Sequence, residues 1–400
     1  MSLPNGWKKV KLGEICEKIG SGSTPKGGRE VYLDSGIPII RSQNVLNGFL
    51  DLSDVAFISD EQHAKMKGTW VRPGDILLNI TGASIGRSCV VPANVKTANV
   101  NQHVCIIRLK ENADACYVCN LILSKDVQKQ IELLSVGGGR QGLNFQQIAS
   151  FSFVLPPLNE QKKIAETLSV WDDAIEKTEK LIEAKEMVLS EYGKDLFGRT
   201  NQKNKQNWES VSLSSVLIEH GDKSTGEEEV YSVSVHKGLV NQVEHLGRSF
   251  AAKNTSNYNC VHYGDIVYTK SPTGDFPLGI VKQSLIKEDV IVSPLYGVFT
   301  PKSFELGTIL DFYFSSPTNA NNYLHPIAQK GAKNTINITN KIFLSAKLYL
   351  PLDLKEQKKI AEFIQSVKQE TSILQQLLEN YKKQKQGLMQ KLLTGQWRIK

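Results

Sequence analysis

The segment Glu-Gln-Lys-Lys-Ile-Ala-Glu stands twice in this 400-residue chain, at 160–166 and, 196 residues later, at 356–362. Each copy follows a Leu-Pro pair, Leu155-Pro156 and Leu350-Pro351, and each opens a long helical pattern. One junction spelled twice implies one unit built twice, so the chain reads as a tandem repeat with a pseudo-two-fold arrangement. The order is a globular stretch (1–155), a long helix (156–198), a second globular stretch (199–350) and a second long helix with a tail (351–400).

Weaker anchors run in the same order through both halves. Trp7 answers Trp208, and Val71-Arg72-Pro73-Gly74-Asp75-Ile76 answers Val261-His262-Tyr263-Gly264-Asp265-Ile266. Leu143-Asn144-Phe145 is matched with Ile336-Asn337-Ile338. Between the anchors the copies diverge, as expected of one fold filled for two targets. Strand-like runs lie at 37–41, 75–80, 88–91 and 100–109, and at 230–235, 265–269, 279–282, 290–292 and 344–350. Each half adds a helix-like stretch, 113–134 and 306–324. The expected class is α+β, with two compact domains of mixed strands and helices. The polar stretch 199–207 reads as the linker between the halves.

In the first long helix apolar residues recur at alternating steps of three and four: Ile164, Leu168, Trp171, Ile175, Ile182, Leu189, Tyr192 and Leu196, with Thr178 and Lys185 in the remaining places. The second runs Ile360, Ile364, Val367, Leu374, Leu378, Tyr381, Leu388 and Leu392, interrupted by Thr371 and Lys385. A 3.5-residue period sustained over several heptads is a coiled-coil seam. Two such helices in one chain can bury each other. Paired antiparallel, they form a rod of roughly 57 Å with a globular unit near each end. An interface with another protein is the other use of such a stripe.

Composition narrows the class further. No apolar run approaches the roughly 20 residues that span a bilayer, and the N-terminus lacks a signal-peptide core, so a cytoplasmic protein is expected. The net charge of +7 suits a nucleic-acid binder without requiring one. Among six cysteines the one metal candidate is His103, Cys105, Cys116 and Cys119. His103 and Cys105 fall in or beside a strand-like run and the other two in a helix-like run, where cysteine packs as a small apolar residue, and that reading is favoured. No Walker A loop, amino-methyltransferase motif or hydrolytic triad stands out.

Leu-Pro-Pro-Leu-Asn-Glu-Gln-Lys-Lys-Ile-Ala-Glu at 155–166, followed by Trp171-Asp172-Asp173-Ala174-Ile175, resembles the first spacer-helix region of type I restriction-modification specificity subunits. Arg72-Pro73-Gly74-Asp75-Ile76-Leu77, Thr81-Gly82-Ala83-Ser84-Ile85-Gly86 and Gly137-Gly138-Gly139-Arg140 are similar to the target-recognition domains of that family, and Leu392-Leu393-Thr394-Gly395 fits its ending. The second domain departs most, with Ser271-Pro272-Thr273-Gly274 where the first has Thr81-Gly82-Ala83-Ser84. The resemblance implies two target-recognition domains, each reading half of a split double-stranded DNA sequence, with an antiparallel helical spacer fixing the gap. It implies a non-catalytic subunit with no bound cofactor or metal. Two methyltransferase subunits would supply S-adenosylmethionine chemistry on adenine, and restriction subunits, where present, would bring ATP and Mg.

Reading DNA needs cations for phosphates and planar or amide groups for base edges. The first domain offers Arg41, Gln43 and Asn44, then Ser23, Thr24, Lys26 and Arg29, then Arg140 and Gln141. The second offers Lys223, Ser224, His236, Lys237, Lys253, Asn254, Lys270, Lys330, Lys333 and Asn334. Against this stand an enzyme with unrecognised motifs and a coiled-coil scaffold without sequence-specific DNA binding.

Overall fold

The computed structural model describes residues 3–25, 31–135, 142–198, 207–243, 255–330 and 336–399. It divides into two units, Met1–Lys180 with Gln376–Lys400, and Leu181–Gln375. Each unit therefore combines one globular stretch with parts of both long helices.

The first unit is closed by β1 (Lys8–Lys11) pairing antiparallel with β10 (Ser152–Leu155). Between them lie β2 (Cys16–Ser21), β3 (Ile37–Ile40), β4 (Ala56–Ile58), α1 (Asp60–Lys65), β5 (Trp70–Val71), β6 (Ile76–Asn79), β7 (Ser88–Val90), β8 (Ala98–Val100) and β9 (Val104–Leu109). Helices α2 (Ala115–Leu123), α3 (Lys125–Ser135) and α4 (Phe145–Ala149) follow. One antiparallel sheet has the order β2-β9-β6-β7 and a second has β4-β3-β8-β5, in which β3 and β8 run parallel. The central strand β6 is buried on both faces, which is why it reads as a continuous apolar run rather than an alternating one. Ile76, Leu78, Cys105 and Ile107 face a core built with α2, α3, Ile164 and Leu168. Leu77, Cys89, Val104 and Ile106 face the second sheet through Ile40, Val71 and Val100.

The second unit repeats this plan. β11 (Trp208–Ser212) pairs with β22 (Lys347–Pro351). β12 (Leu217–Glu219), β13 (Tyr231–Ser234), β14 (Gly238–Asn241), β15 (Asn259–Val261), β16 (Ile266–Thr269), β17 (Ile280–Gln283), β18 (Val290–Val292) and β19 (Gly297–Pro301) lie between, with a short pair β20 (Gln329–Lys330) and β21 (Ile336–Asn337). The sheet β12-β19-β16-β17 matches β2-β9-β6-β7, and Ile266↔Phe299 stands where Ile76↔Ile107 stands. β14-β13 and β18-β15 match the second sheet, joined by a parallel bridge from Val230 to Ile291. α6 (Phe304–Phe314), α7 (Pro317–Leu324) and α8 (Asn340–Ser345) complete the α+β unit.

Three expectations need correction. The strand expected over 100–109 breaks at Asn101, whose Oδ1 accepts the His103 N–H and turns the chain between β8 and β9. The stretches 113–134 and 306–324 are each two helices, broken at Ser124 and at Ser315-Ser316, where serine caps start or stop a turn. The anchor Leu143-Asn144 is answered by Ile338-Thr339, not by 336–338. Asn144 and Thr339 cap α4 and α8, and Leu143 and Ile338 are the buried residues just before them.

The long helices are α5 (Leu158–Phe197) and α9 (Leu354–Leu393). The duplicated junction docks each on its own domain in the same way. The Trp7 indole N–H donates to Glu160 at 3.2 Å, and that of Trp208 to Glu356 at 2.6 Å. The next residue holds two elements together. Gln161 donates to the Pro156 carbonyl while its own oxygen accepts from the N–H of Asp114, the N-cap of α2. Gln357 donates to Pro351 and accepts from the hydroxyl of Ser303, the N-cap of α6.

None of the sixteen seam residues is exposed. In the first unit Ile164 and Leu168 share a core with Leu388 and Leu392, Trp171 meets Tyr381 edge-on at 5.8 Å, and Asp172 and Glu179 pair with Lys385 and Lys382. In the second, Ile360 and Ile364 share a core with Leu189, Tyr192 and Leu196, and Lys185 pairs with Glu370. Within each unit the segments therefore run antiparallel. The polar interruptions fit the seam: Thr178 and Thr371 are buried and bond back to the carbonyls of Ala174 and Val367.

Candidate nucleic-acid interface

In the first unit the ends of β2, β3 and β6 and the β8–β9 turn gather the expected polar loops. Gly22 is essential to this. Its N–H donates to the Asn101 carbonyl, and a Cβ on it would lie 1.6 Å from the Val100 oxygen, so only glycine brings residues 22–25 this close. Thr24 then hydrogen-bonds Gln102. Gln102 reaches His103 Nε2 at 3.1 Å, and His103 Nδ1 meets the Thr81 hydroxyl at 2.6 Å. With Gln102 donating, the proton sits on Nδ1 and is given to Thr81. Thr81 in turn bridges Gly142, and the Ile80 carbonyl accepts from the Leu143 N–H.

The neighbouring loop is held by buried Asn79, which donates to the Ser42 carbonyl at 2.8 Å. Arg41 and Gln43 both engage Asp54: an Arg41 guanidinium N–H donates to its carbonyl at 3.2 Å, and the Gln43 amide to its carboxylate at 2.7 Å. Asp54 is largely exposed, so an incoming phosphate can exchange with it. Asn44 is a correction. It is buried, and its amide accepts from the Arg41 N–H and donates to the Asp51 and Asp54 carbonyls, so it shapes the loop and presents nothing. Ser23 and Thr24 are exposed; Lys26, Arg29, Arg140 and Gln141 lie outside the described residues.

The second unit gathers fewer of its candidates. His236 and Lys237 are exposed on the turn between β13 and β14. Lys270 follows β16, half-buried, and burial lowers its pKa from the usual lysine range. Lys223 is directed onto Asn259 at 2.5 Å and onto the Asn257 carbonyl. Ser224 donates to Glu228, which also takes the Thr225 and Gly226 N–H groups, so Ser224 is engaged within its own turn. Lys253, Asn254, Lys333 and Asn334 lie outside the described residues; Lys330 ends β20, and its side chain is likewise outside the description.

Gln102 was not foreseen as a contact, and His103 was weighed only as a metal ligand. The signal for both was the polar triplet Asn101-Gln102-His103 inside an otherwise apolar run. His103, Cys105, Cys116 and Cys119 form no group with metal-ligand spacing among the described residues. Burial pushes the Cys105 and Cys119 thiols up to about 12, which keeps them protonated and suits packing. The Gly-Asp motif is structural in both units. Asp75 accepts from the Arg72 N–H and pairs with Arg108 through two 2.7 Å bonds, and Asp265 accepts from the His262 N–H. Among the described residues no helix is long and apolar enough to cross a membrane.

The family described as "Type I restriction modification DNA specificity domain" matches the chain twice, over residues 4–186 and 206–382. The MjaVIII specificity subunit of Methanocaldococcus jannaschii is 23% identical across all of this chain and 95% of its own length. The EcoKI specificity subunit of Escherichia coli K12 is 22% identical over 99% of this chain and 91% of its own. Among solved structures, the S subunit of a type I restriction-modification system from M. genitalium shares the fold, with a TM-score of 0.64 at 16% identity over 98% of each chain. With the domain present in both halves, this chain belongs to the type I restriction-modification DNA specificity family.

Proposed function

We propose that this chain is the specificity subunit of a type I restriction-modification assembly and reads an asymmetric, two-part DNA target. The observation that carries this is the repeated frame with unlike loops. Both units share sheet order and junction chemistry, yet the first presents Thr24, Gln102 and His103 where the second presents a different set. Two unlike readers in one chain call for two unlike half-sites, in contrast to the palindromes read by homodimers. The chain's own part is positioning. Two methyltransferase subunits carry S-adenosylmethionine and modify adenine, and restriction subunits, where present, use ATP and Mg to cut. Val170 in the first unit and Met187 and Ile373 in the second are exposed apolar residues on the long helices, suited to docking such subunits.

The test is to co-express the chain with the adjacent methyltransferase subunit and map methylated adenines with and without this gene. A split, asymmetric motif that requires the chain is expected. A soluble complex that methylates no new motif would favour a scaffold without sequence-specific DNA binding.

Residue-level reading is tested in the same assay. Gln102→Ala and His103→Ala are each expected to relax discrimination in one half-site only. A lost base contact is worth about 1–3 kcal/mol, roughly a 5- to 150-fold loss of preference at that position. Relaxation in both half-sites would argue for general damage to the fold.

A further inference from the structure

The turn between β8 and β9 carries one exposed side chain whose hydrogen-bonding capacity is half spent. The turn itself is fixed by Asn101, which is buried. The Asn101 N–H donates to the Ile40 carbonyl at 3.0 Å, its carbonyl accepts from Gly22 at 3.1 Å, and its Oδ1 accepts from the His103 N–H at 3.0 Å. Gln102 follows and is exposed. Its amide is held at both ends: the oxygen accepts from the Thr24 hydroxyl, and the nitrogen donates to His103 Nε2 at 3.1 Å. His103 is steadied in turn by the Thr81 hydroxyl at 2.6 Å.

A glutamine amide has two N–H donors and two acceptor lone pairs. Thr24 and His103 use one of each, so one donor and one acceptor remain. Turned over, the amide would accept from His103 and donate to Thr24, and the remainder would be the same. In the major groove only adenine sets a donor (N6–H) beside an acceptor (N7) and so takes both remaining groups. Guanine offers two acceptors there, N7 and O6, and would need the donor already given to His103. Cytosine offers a donor and thymine an acceptor, so each would take one bond and leave the other group unpaired.

The matching turn of the second unit, between β18 and β19, is built differently. The Tyr296 N–H donates to the Ser293 carbonyl at 3.0 Å, and Leu295 within the turn is 74% exposed. A leucine side chain has neither donor nor acceptor, so the amide of Gln102 has no counterpart there.

We infer, on the two-part reading proposed above, that Gln102 specifies one adenine of the first half-site from the major groove, with Thr24 and His103 positioning its amide. Holding the amide before DNA arrives spares part of the cost of ordering a long side chain. Arg41 follows Ile40, whose carbonyl accepts from Asn101, so a cation suited to phosphate stands beside the anchor of the same turn.

The experiment uses the full chain assembled with its methyltransferase subunit. Methylation mapping is expected to give a split motif in which Gln102→Ala loses preference at one position, an adenine of one half-site, by about 5- to 150-fold, with every other position kept. Duplex competition then identifies the atoms. 7-Deazaadenine at that position, which lacks the N7 acceptor, should compete about 2- to 12-fold less well for wild type and no less well for Gln102→Ala. Thr24→Val should weaken the adenine preference at the same position, and Thr24→Ser, which keeps the hydroxyl, should restore it. A merely structural role for Thr24 would not single out one base pair. A position that specifies guanine, cytosine or thymine overturns the inference, guanine being the base whose minor-groove edge also sets a donor beside an acceptor. So does a 7-deazaadenine penalty that persists in Gln102→Ala, a preference that Thr24→Val leaves untouched, or a split motif that Gln102→Ala leaves intact. Absence of any split motif would sink the two-part reading, and this assignment with it.

Discussion

Inserting one heptad after Lys180 and another after Gln375 is expected to widen the gap between the two half-sites by about three base pairs while leaving both half-sites unchanged. Lys180 and Gln375 are where α5 and α9 pass from one unit to the other, so the insertions leave each domain's own contacts in place. Seven residues keep the seam in register, because the apolar stripe repeats every 3.5 residues, and add about 10 Å at 1.5 Å per residue. At roughly 3.4 Å per base pair that is three base pairs. Both helices must be lengthened together. A heptad in one alone leaves the two helices unequal in length at the boundary, so either the insert loops out or one unit loses its pairing, Lys185–Glu370 in the second or Lys382–Glu179 in the first. Methylation mapping of the doubly lengthened chain is the measurement. An unchanged gap would separate the helices from gap setting while leaving two-part reading intact.

The frame of the molecule was legible in the sequence because it rests on strong, periodic signals. The seam from Ile164 to Leu196 and from Ile360 to Leu392 could be read position by position, since burial on a long helix imposes one spacing over many turns. The duplicated Glu-Gln was visible as a repeat. Its role as a latch on Trp7, Trp208 and two helix N-caps was not, because the partners lie from 47 to 153 residues away in sequence. Element breaks at Asn101, Ser124 and Ser315 escaped notice because one polar residue in an apolar run barely changes its periodicity. The site was legible only in kind. Polar loops at strand ends were foreseen, but which residues face outward depends on close approaches such as that of Gly22. Asn44 looked like a reader of bases and proved to be the residue that shapes its own loop.

Asp311→Asn is expected to be the most damaging single polar substitution in the second unit. Asp311 lies on α6 between Lys368 of α9, at 2.7 Å, and Lys282 of β17, at 3.9 Å. The side chains of Lys282 and Asp311 are only 11% and 13% exposed. Burial pushes the Asp311 carboxyl up, but the two ammonium groups and the Gln283 N–H outweigh it and hold its pKa below the ordinary carboxylate range. Removing the charge leaves the Lys282 ammonium buried without compensation, a situation that costs about 3–5 kcal/mol. At roughly 2–4 °C per kcal/mol for a unit of this size, the melting temperature should fall by about 6–20 °C. Lys368→Ala should cost less, since Lys368 is 42% exposed and Lys282 keeps its partner. Replacing Lys282 by Met together with Asp311 by Leu should recover most of the loss, because an apolar pair of similar volume carries no desolvation penalty. The sign of the pH dependence follows from the depressed pKa. The stabilisation by Asp311 is complete above its unfolded pKa of about 3.9 and is lost as pH falls through the lower folded value. The difference in melting temperature between wild type and Asp311→Asn should therefore hold near neutrality and shrink in acid. A difference that persisted undiminished in acid would place the effect in packing, with charge playing no part.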